Sequence, residues 1–291
     1  MREERQAYFA GRSTRHAAVP QAGWRRVRDA ATTGLGPHEH GPAYEVCLIV
    51  GGEVEWWVGR ETHAVGPGQV YVTRPGEVHG GVGEVIQPAE LYWCGLSLPG
   101  PRGALGLPRN EAQRLADRFG RMQRRVFASS PALRGAFARL LAGMADDDEV
   151  LSRWRVRAAV LDLAAETTAC HDAGVAAQPP PSREVRQVME WIAGHLDEDL
   201  PIEDLADRAG LAVSRFHERF VEETGYSPGD WRNRRRIAEA KRWLRTTDRP
   251  ITEIAMTCGF STSQYFATAF KRHAGVSPSA YRKAGPDTAE S

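Results

Sequence analysis

An α+β chain in two dissimilar parts is predicted: an N-terminal β-barrel of jelly-roll type followed by helices, then a C-terminal all-α domain with two helix-turn-helix units joined by a long helix. Three observations carry this. Residues 201–281 state nearly the same pattern twice, residues 19–98 break into short apolar runs punctuated by Gly and Pro, and a polar, Pro-rich run separates the two regions. The expected boundaries are 1–105 for the barrel, 106–172 for a helical segment, 173–183 for a linker and 184–291 for the double helix-turn-helix domain.

In chain order, Val46-Cys47-Leu48-Ile49-Val50, Val54 to Val58, Val70-Tyr71-Val72 and Leu91-Tyr92-Trp93-Cys94 read as strands. Gly51-Gly52, Gly66-Pro67-Gly68, Pro75-Gly76 and Gly80-Gly81 divide them. Many short strands at this spacing imply a small barrel or jelly roll. Trp56 and Trp57 are strand neighbours and point to opposite faces, so at most one enters the interior. With Trp24, Tyr44, Tyr71 and Trp93 they offer flat apolar surfaces for a sugar or another small molecule, although such aromatics are more often core.

From Pro108 to His171 the apolar spacing turns helical. Leu115, Phe119, Met122 and Val126 fall on one face, Phe137, Leu140, Leu141 and Met144 on another, and Val156, Val160, Leu161 and Leu163 on a third. The basic stretch Arg114–Arg125 and the acidic Asp146-Asp147-Asp148-Glu149 are suited to pair with one another. Asp172 to Ser182, with Gln178-Pro179-Pro180-Pro181, reads as a semi-rigid linker.

The repeat comes next. Pro201-Ile202-Glu203-Asp204-Leu205-Ala206, Gly210, Ser214, Phe220, Gly225, Ser227-Pro228 and Trp231 return as Pro250-Ile251-Thr252-Glu253-Ile254-Ala255, Gly259, Ser263, Phe270, Gly275, Ser277-Pro278 and Tyr281. The offset is 49 residues up to Ser214/Ser263 and 50 from Phe220/Phe270 onward. Each copy reads as a short helix, a Gly turn and a longer helix that buries two Phe residues. Ser227-Pro228 and Ser277-Pro278 read as an N-cap followed by Pro at the first helical position. Between the copies, Gly229–Arg245 carries Trp231, Ile237, Ala240, Trp243 and Leu244 at apolar helical spacing. At ~1.5 Å per residue, such a helix sets the two units roughly 25 to 35 Å apart, close to one turn of B-DNA. Charge alone says less: from Arg183 onward, 17 Lys/Arg stand against 17 Asp/Glu, with Arg232, Arg234, Arg235 and Arg236 as a local cluster.

These residues, with the second-unit run Cys258-Gly259-Phe260, Tyr265-Phe266, Phe270-Lys271, Gly275-Val276-Ser277-Pro278 and Tyr281-Arg282, resemble the AraC/XylS family of bacterial transcription regulators over about the last 100 residues. The resemblance implies two recognition helices entering successive major-groove segments. By position in the motif it implies base-facing Ser214, His217 and Glu218 in the first unit, and Ser263, Gln264, Ala267 and Thr268 in the second. Arg215, Arg219, Lys271 and Arg272 suit phosphates, and His217 suits either role. Gln264 can bond adenine, Glu218 can accept from cytosine N4, and Ala267 or the Thr268 methyl can touch a thymine methyl. The resemblance further implies double-stranded promoter DNA, a small-molecule effector and RNA polymerase as partners, and a homodimer formed through the helices after the barrel. Those helices can equally serve only to cover it.

His38-x-His40, Glu45, Gly52 and Pro75-Gly76-Glu77-Val78-His79 resemble the two cupin motifs, so the barrel is expected to be cupin-like. That resemblance implies three His and one Glu pointing inward, a set able to hold a divalent metal. Thr32 stands where the first motif has Gly, and Gly76 directly follows Pro75 instead of lying two residues later. Effector contacts are therefore expected from His38, His40, Glu45, Trp56, His79 and Trp93, with His38, His40, Glu45 and His79 as the metal set. No cofactor is required by the regulator reading. The competing readings are a metal-dependent cupin dioxygenase or isomerase fused to a DNA-binding domain, and a direct metal sensor.

At 291 residues with net charge +1 and 42% hydrophobic content, the chain suits two ordinary cores. No run approaches a membrane span, and Met1-Arg2-Glu3-Glu4-Arg5 is not a signal-peptide start, so a cytoplasmic protein is expected. Cys47, Cys94, Cys170 and Cys258 lie far apart and are expected to be buried, reduced thiols.

Overall fold

The computed structural model describes residues 5–28, 35–82, 86–98, 105, 107–174 and 181–284. Thr32 and the linker residues Gln178, Pro179 and Pro180 lie outside the described residues. Two compact units result: one is drawn from residues up to Gly174 apart from 86–88, and those three group with residues 181–284 in the other.

Among the described residues the first unit holds nine strands: β1 (Arg5–Ala10), β2 (Gln21–Val27), β3 (Ala43–Gly52), β4 (Val54–Val58), β5 (Glu61–Val65), β6 (Gln69–Thr73), β7 (His79–Gly81), β8 (Ala89–Ser97) and β9 (Val126–Ala128). They form a six-stranded sheet ordered β1-β2-β8-β3-β6-β9 and a three-stranded sheet ordered β5-β4-β7, with every pairing antiparallel. Among the described residues no strand ladder joins the two sheets, so the cupin-like body is a two-sheet jelly roll and not a closed cylinder. Alternation along β3 sorts the residues between faces. Tyr44, Val46 and Leu48 enter the main apolar core, while Glu45 and Cys47 share the opposite face with Thr73, Tyr71 and Trp93, their register partners or neighbours.

Three helices cover the Tyr44–Leu48 face: α1 (Arg109–Gly120), α2 (Pro131–Met144) and α3 (Glu149–Asp172). Phe119, Leu133, Phe137, Leu140, Val156, Val160 and Leu163 pack into one core with Val46, Leu48, Val70, Val72 and Leu96. Ser130 caps α2 by accepting from Leu133 N, with Pro131 at the first turn, and Asp148 caps α3 by accepting from Val150 N and Leu151 N. Val126 departs from its expected helical face. The helix stops at Gly120, and the Val126-Phe127 pair completes the sheet edge opposite Tyr71 and Val70, where a β-branched and an aromatic residue pair well. Leu161 also departs, because it is exposed. The basic and acidic runs do not simply meet: Arg118 pairs with Asp172 and Arg155 with Asp146.

The second unit is helical: α4 (Arg183–Gly194), α5 (Ile202–Arg208), α6 (Val213–Thr224), α7 (Pro228–Thr246), α8 (Ile251–Thr257), α9 (Ser263–Ala274) and α10 (Pro278–Ala284). The repeat is visible in the backbone. Both short helices have 7 residues and both recognition-type helices have 12. The equivalent turns use Gly210 at φ +66 and Gly259 at φ +79, a region glycine enters without a Cβ penalty. Two separate cores form. One gathers Val185, Val188, Ile192, Leu205, Phe216, Phe220 and Trp231; the other gathers Ile237, Leu244, Ile254, Phe260, Phe266 and Phe270. Helix α4 plays for the first unit the part that the C-terminal half of α7 plays for the second: Val185, Val188 and Ile192 match Ile237, Ala240 and Leu244, at an offset of 52 residues that the 49-to-50-residue period does not disclose.

Among the described residues no helix is long and apolar enough to cross a membrane, and the four cysteines are unpaired and buried.

Candidate nucleic-acid interface and histidine cluster

Helices α6 and α9 present the residues expected to meet DNA. Burying Phe216 and Phe220 rotates Ser214, Arg215, His217 and Glu218 outward, all exposed; burying Phe266 and Phe270 does the same for Gln264, Ala267, Thr268, Lys271 and Arg272. Ser263 and Arg219 are half-buried. Local bonding already commits some of these side chains. Arg219 is held by Glu223 at 2.8 Å and Glu184 at 3.5 Å, and Arg215 lies 3.6 Å from Glu218. The Thr268 hydroxyl donates to Gln264 O at 3.1 Å, which leaves its methyl as the outward feature. Thr262 opens α9 by accepting from Tyr265 N at 3.0 Å.

On the inner side of α9, His273 is buried, with Asp230 at 4.0 Å. Burial and the nearby Arg234 push it down to about 4, against the weaker pull of Asp230. The unfolded imidazole titrates near 6.5, so the unfolded chain binds the extra proton first, and stability falls as pH drops from about 6.5 towards 4. Thermal melts of the full chain between pH 7 and 4.5 are expected to show this loss. His273→Gln should flatten it; an unchanged pH slope would contradict the assignment.

In the first unit, His38, His40 and His79 converge. A backbone bridge places His38 beside His79, with His38 N to His79 O at 3.0 Å and His79 N to His38 O at 2.9 Å. The turn Arg74-Pro75-Gly76-Glu77 delivers His79, with Gly76 at φ +72 after Pro75 as a type II turn requires. Each of the three imidazoles offers a ring nitrogen within 4.8 Å of the others. Outer nitrogens are anchored: His38 Nδ1 to Gly36 O at 2.8 Å, His79 Nδ1 to Glu77 O at 2.9 Å, and His40 Nδ1 to Gln21 Nε2 at 3.0 Å. Such partners fix which nitrogen faces inward. Glu45 stands 3.1 Å from His40 Nε2 and 3.5 Å from His79 Nε2, yet neither nitrogen completes a hydrogen bond of good geometry. Burial pushes the Glu45 carboxyl up, but the imidazoles of His40 and His79 outweigh it and hold it at about 2. Burial pushes His79 down, and Glu45 with the Glu77 carbonyl more than offsets this, leaving it raised.

The expected effector contacts divide. His38, His40, Glu45 and His79 come together, while Trp56 is buried against Tyr71 at 5.2 Å between ring centroids and Trp93 lies against Gly23 and stacks on Tyr8. His63 and Thr73 were not anticipated, whereas Tyr71 was among the aromatics expected to offer a ring face. Trp56 Nε1, His63 Nε2, Tyr71 Oη and Thr73 Oγ1 are buried without a hydrogen-bond partner, an uncommon condition for a polar group. The alternation Tyr71-x-Thr73 opposite Cys47-x-Glu45 was the available sequence signal.

Residues 25–164 match the family model of the AraC-like ligand binding domain, and residues 205–284 match that of a helix-turn-helix domain. The HTH-type transcriptional activator RhaS of Enterobacter sp. (strain 638) is 35% identical over 99 residues, 34% of this chain and 36% of the relative. RhaS of Citrobacter koseri is 34% identical over 94 residues, 32% of this chain and 34% of the relative. The match thus spans about a third of these relatives' own length. Among solved structures, the DNA-binding domain of AdpA in complex with a target DNA is 37% identical, covering 35% of this chain and 93% of that one at a TM-score of 0.34. The C-terminal domain of AraT from Geobacillus stearothermophilus is 30% identical, covering 39% and 95% at a TM-score of 0.36.

Proposed function

We propose, because this chain belongs to the AraC/XylS family of bacterial transcription regulators, that it is a cytoplasmic, sequence-specific regulator of promoters, controlled by a small molecule held in its first unit. It is not read as an enzyme. The observation that carries the DNA-binding part is the pair of matched helix-turn-helix units on one 19-residue helix, which spans about 28 Å at ~1.5 Å per residue, near one turn of B-DNA. Ser214, His217, Glu218, Ser263, Gln264, Ala267 and Thr268 read bases, and Arg215, Lys271 and Arg272 hold phosphates. Arg219, paired with Glu223 and Glu184, keeps α6 on α4 instead. Activation through RNA polymerase is part of the same proposal, supported by relatives named transcriptional activators.

The effector sits on the inner face of the jelly roll, where the unpartnered groups of Trp56, Tyr71 and Thr73, the imidazole of His63 with Glu61 at 3.5 Å, and the half-buried Trp93 offer hydrogen bonds and ring faces. Sugars and related metabolites suit that lining. Binding shifts DNA affinity by the coupling energy between sites, typically about 1 to 3 kcal/mol. A second reading, a metal sensor, is favoured by the orphaned Nε2 atoms of His40 and His79 beside Glu45. Imidazole nitrogens with one carboxylate suit Zn, Fe, Ni or Cu, and a bound ion would supply a Lewis-acid anchor for an oxygen ligand.

Dimerisation is assigned to the outer face of α3. Val150, Leu151, Trp154 and Leu161 are exposed large apolar residues at helical spacing, with Trp154 at 65% exposure. Trp154→Glu is expected to weaken self-association at least 10-fold in sedimentation equilibrium while leaving the melting temperature within a few degrees; an unchanged dimer constant would move the interface elsewhere. The whole reading is tested by selecting duplexes from a randomised pool with the full chain, with and without a panel of sugars. Recovery of two-box sites whose affinity shifts with one compound supports it, and a chain that enriches no sequence overturns it.

A further inference from the structure

The two helix-turn-helix cores do not merge along α7. Trp231 closes the first, whereas Ile237, Ala240 and Leu244 belong to the second. Apolar packing inside each core therefore leaves the angle between the units to α7 and to the polar contacts at the joint. Arg236 is at the centre of that joint, only 6% exposed. Its Nε donates to Leu196 O at 2.6 Å and its Nη2 to Glu198 O at 3.0 Å, both in the turn that follows α4 in the first unit. Its guanidinium lies 5.7 Å from the ring of Phe260 in the second. The turn of the second unit closes on the same point. A Cβ added at Gly259 would meet Leu196 O at 2.1 Å, Arg236 Nη2 at 2.7 Å and the Asp197 Cα at 2.7 Å.

A buried cation held by carbonyl dipoles is costly to maintain unless its geometry serves a purpose. The planar fork of a guanidinium gives direction, which apolar contacts lack. We propose that Arg236 is a positioning residue that fixes the separation and phase of α6 and α9, and so sets which spacing between two DNA boxes the protein accepts. This rests on the reading of α6 and α9 as DNA-reading helices. A tilt of about 10° over ~28 Å displaces the far helix by about 5 Å, more than the ~3.4 Å rise of one base pair. Small loosening at the joint is thus enough to relax spacing.

The test compares full-length wild type, Arg236→Lys and Arg236→Met. Lysine keeps the charge but not the fork, and methionine keeps much of the volume but neither bond. From a randomised duplex pool, wild type is expected to select two boxes at one separation, and the variants the same boxes with separations spread over at least one further base pair. Spin labels at Glu222→Cys and Lys271→Cys, measured without DNA, should give one narrow distance in wild type and a broadened one in the variants. A variant with wild-type helical circular dichroism, wild-type spacing and an unbroadened distance overturns the proposal. So does loss of helicity in both variants, which would make Arg236 a folding residue only. If wild type selects no DNA, the DNA-reading assignment fails, and the spin-label distances still decide whether Arg236 is the clamp.

Discussion

Gly259→Ala is expected to cost the second unit about 3 kcal/mol or more, whereas the same change at the matching turn, Gly210→Ala, costs about 1 kcal/mol. Both glycines have positive φ, at +79 and +66, so each alanine carries the left-handed penalty of ~1–2 kcal/mol. Only at Gly259 does the new methyl meet backbone, 2.1 Å from Leu196 O and 2.7 Å from the Asp197 Cα; around Gly210 nothing lies within 4 Å. Overpacking against atoms that cannot step aside adds roughly 1–3 kcal/mol. Urea unfolding of the two variants, read by far-ultraviolet circular dichroism, separates them. Equal midpoints would mean that the joint yields where the packing says it cannot. A repeat that looks symmetrical in sequence is therefore expected to respond asymmetrically.

On the metal-sensor reading, His79→Ala is expected to abolish divalent metal uptake by the first unit, a larger loss than the ~10–100-fold typical of removing an outer partner of a ligand. The imidazole supplies one of three converging nitrogens, and its backbone bridge to His38 sets that residue's place. Cobalt(II) titration gives a readout independent of any activity, since visible absorption reports imidazole and carboxylate coordination. Wild type should saturate at one ion per chain, His79→Ala should stay colourless, and Trp93→Ala, whose ring lies against Gly23 and Tyr8, should saturate as wild type. Wild-type protein without absorption would remove the metal reading and leave the organic effector as the sole occupant of the inner face.

The DNA-binding unit was legible in detail because its local signals agree. Pro, Gly and Ser punctuation, paired Phe residues and the 49-to-50-residue period all fix the same helices. The β-rich half was legible in its central strands and not at its edges. β1, β5 and β9 are short or polar, and Val126-Phe127 carries no signal that a sheet edge is waiting for it. Spacing suggested the histidine cluster, but its convergence depends on the bridge between residues 38 and 79, a long-range pairing with no local trace. His63 as a neighbour of Tyr71 was hidden for the same reason. A lone His in an exposed-looking strand and a Tyr in an apolar run become neighbours, at 5.6 Å between rings, only when the two sheets face each other.

The partners of Arg236 are carbonyl oxygens and not carboxylates, and this separates two quantities that usually fall together. Mobile ions compete directly for phosphate contacts, so binding strength drops steeply with added salt. A guanidinium that is itself 6% exposed and bonded to peptide oxygens is largely inaccessible to those ions. Raising ionic strength should therefore dilute occupancy of a promoter without changing the length of the sequence that is measured: a ruler that is held more loosely but keeps its graduation.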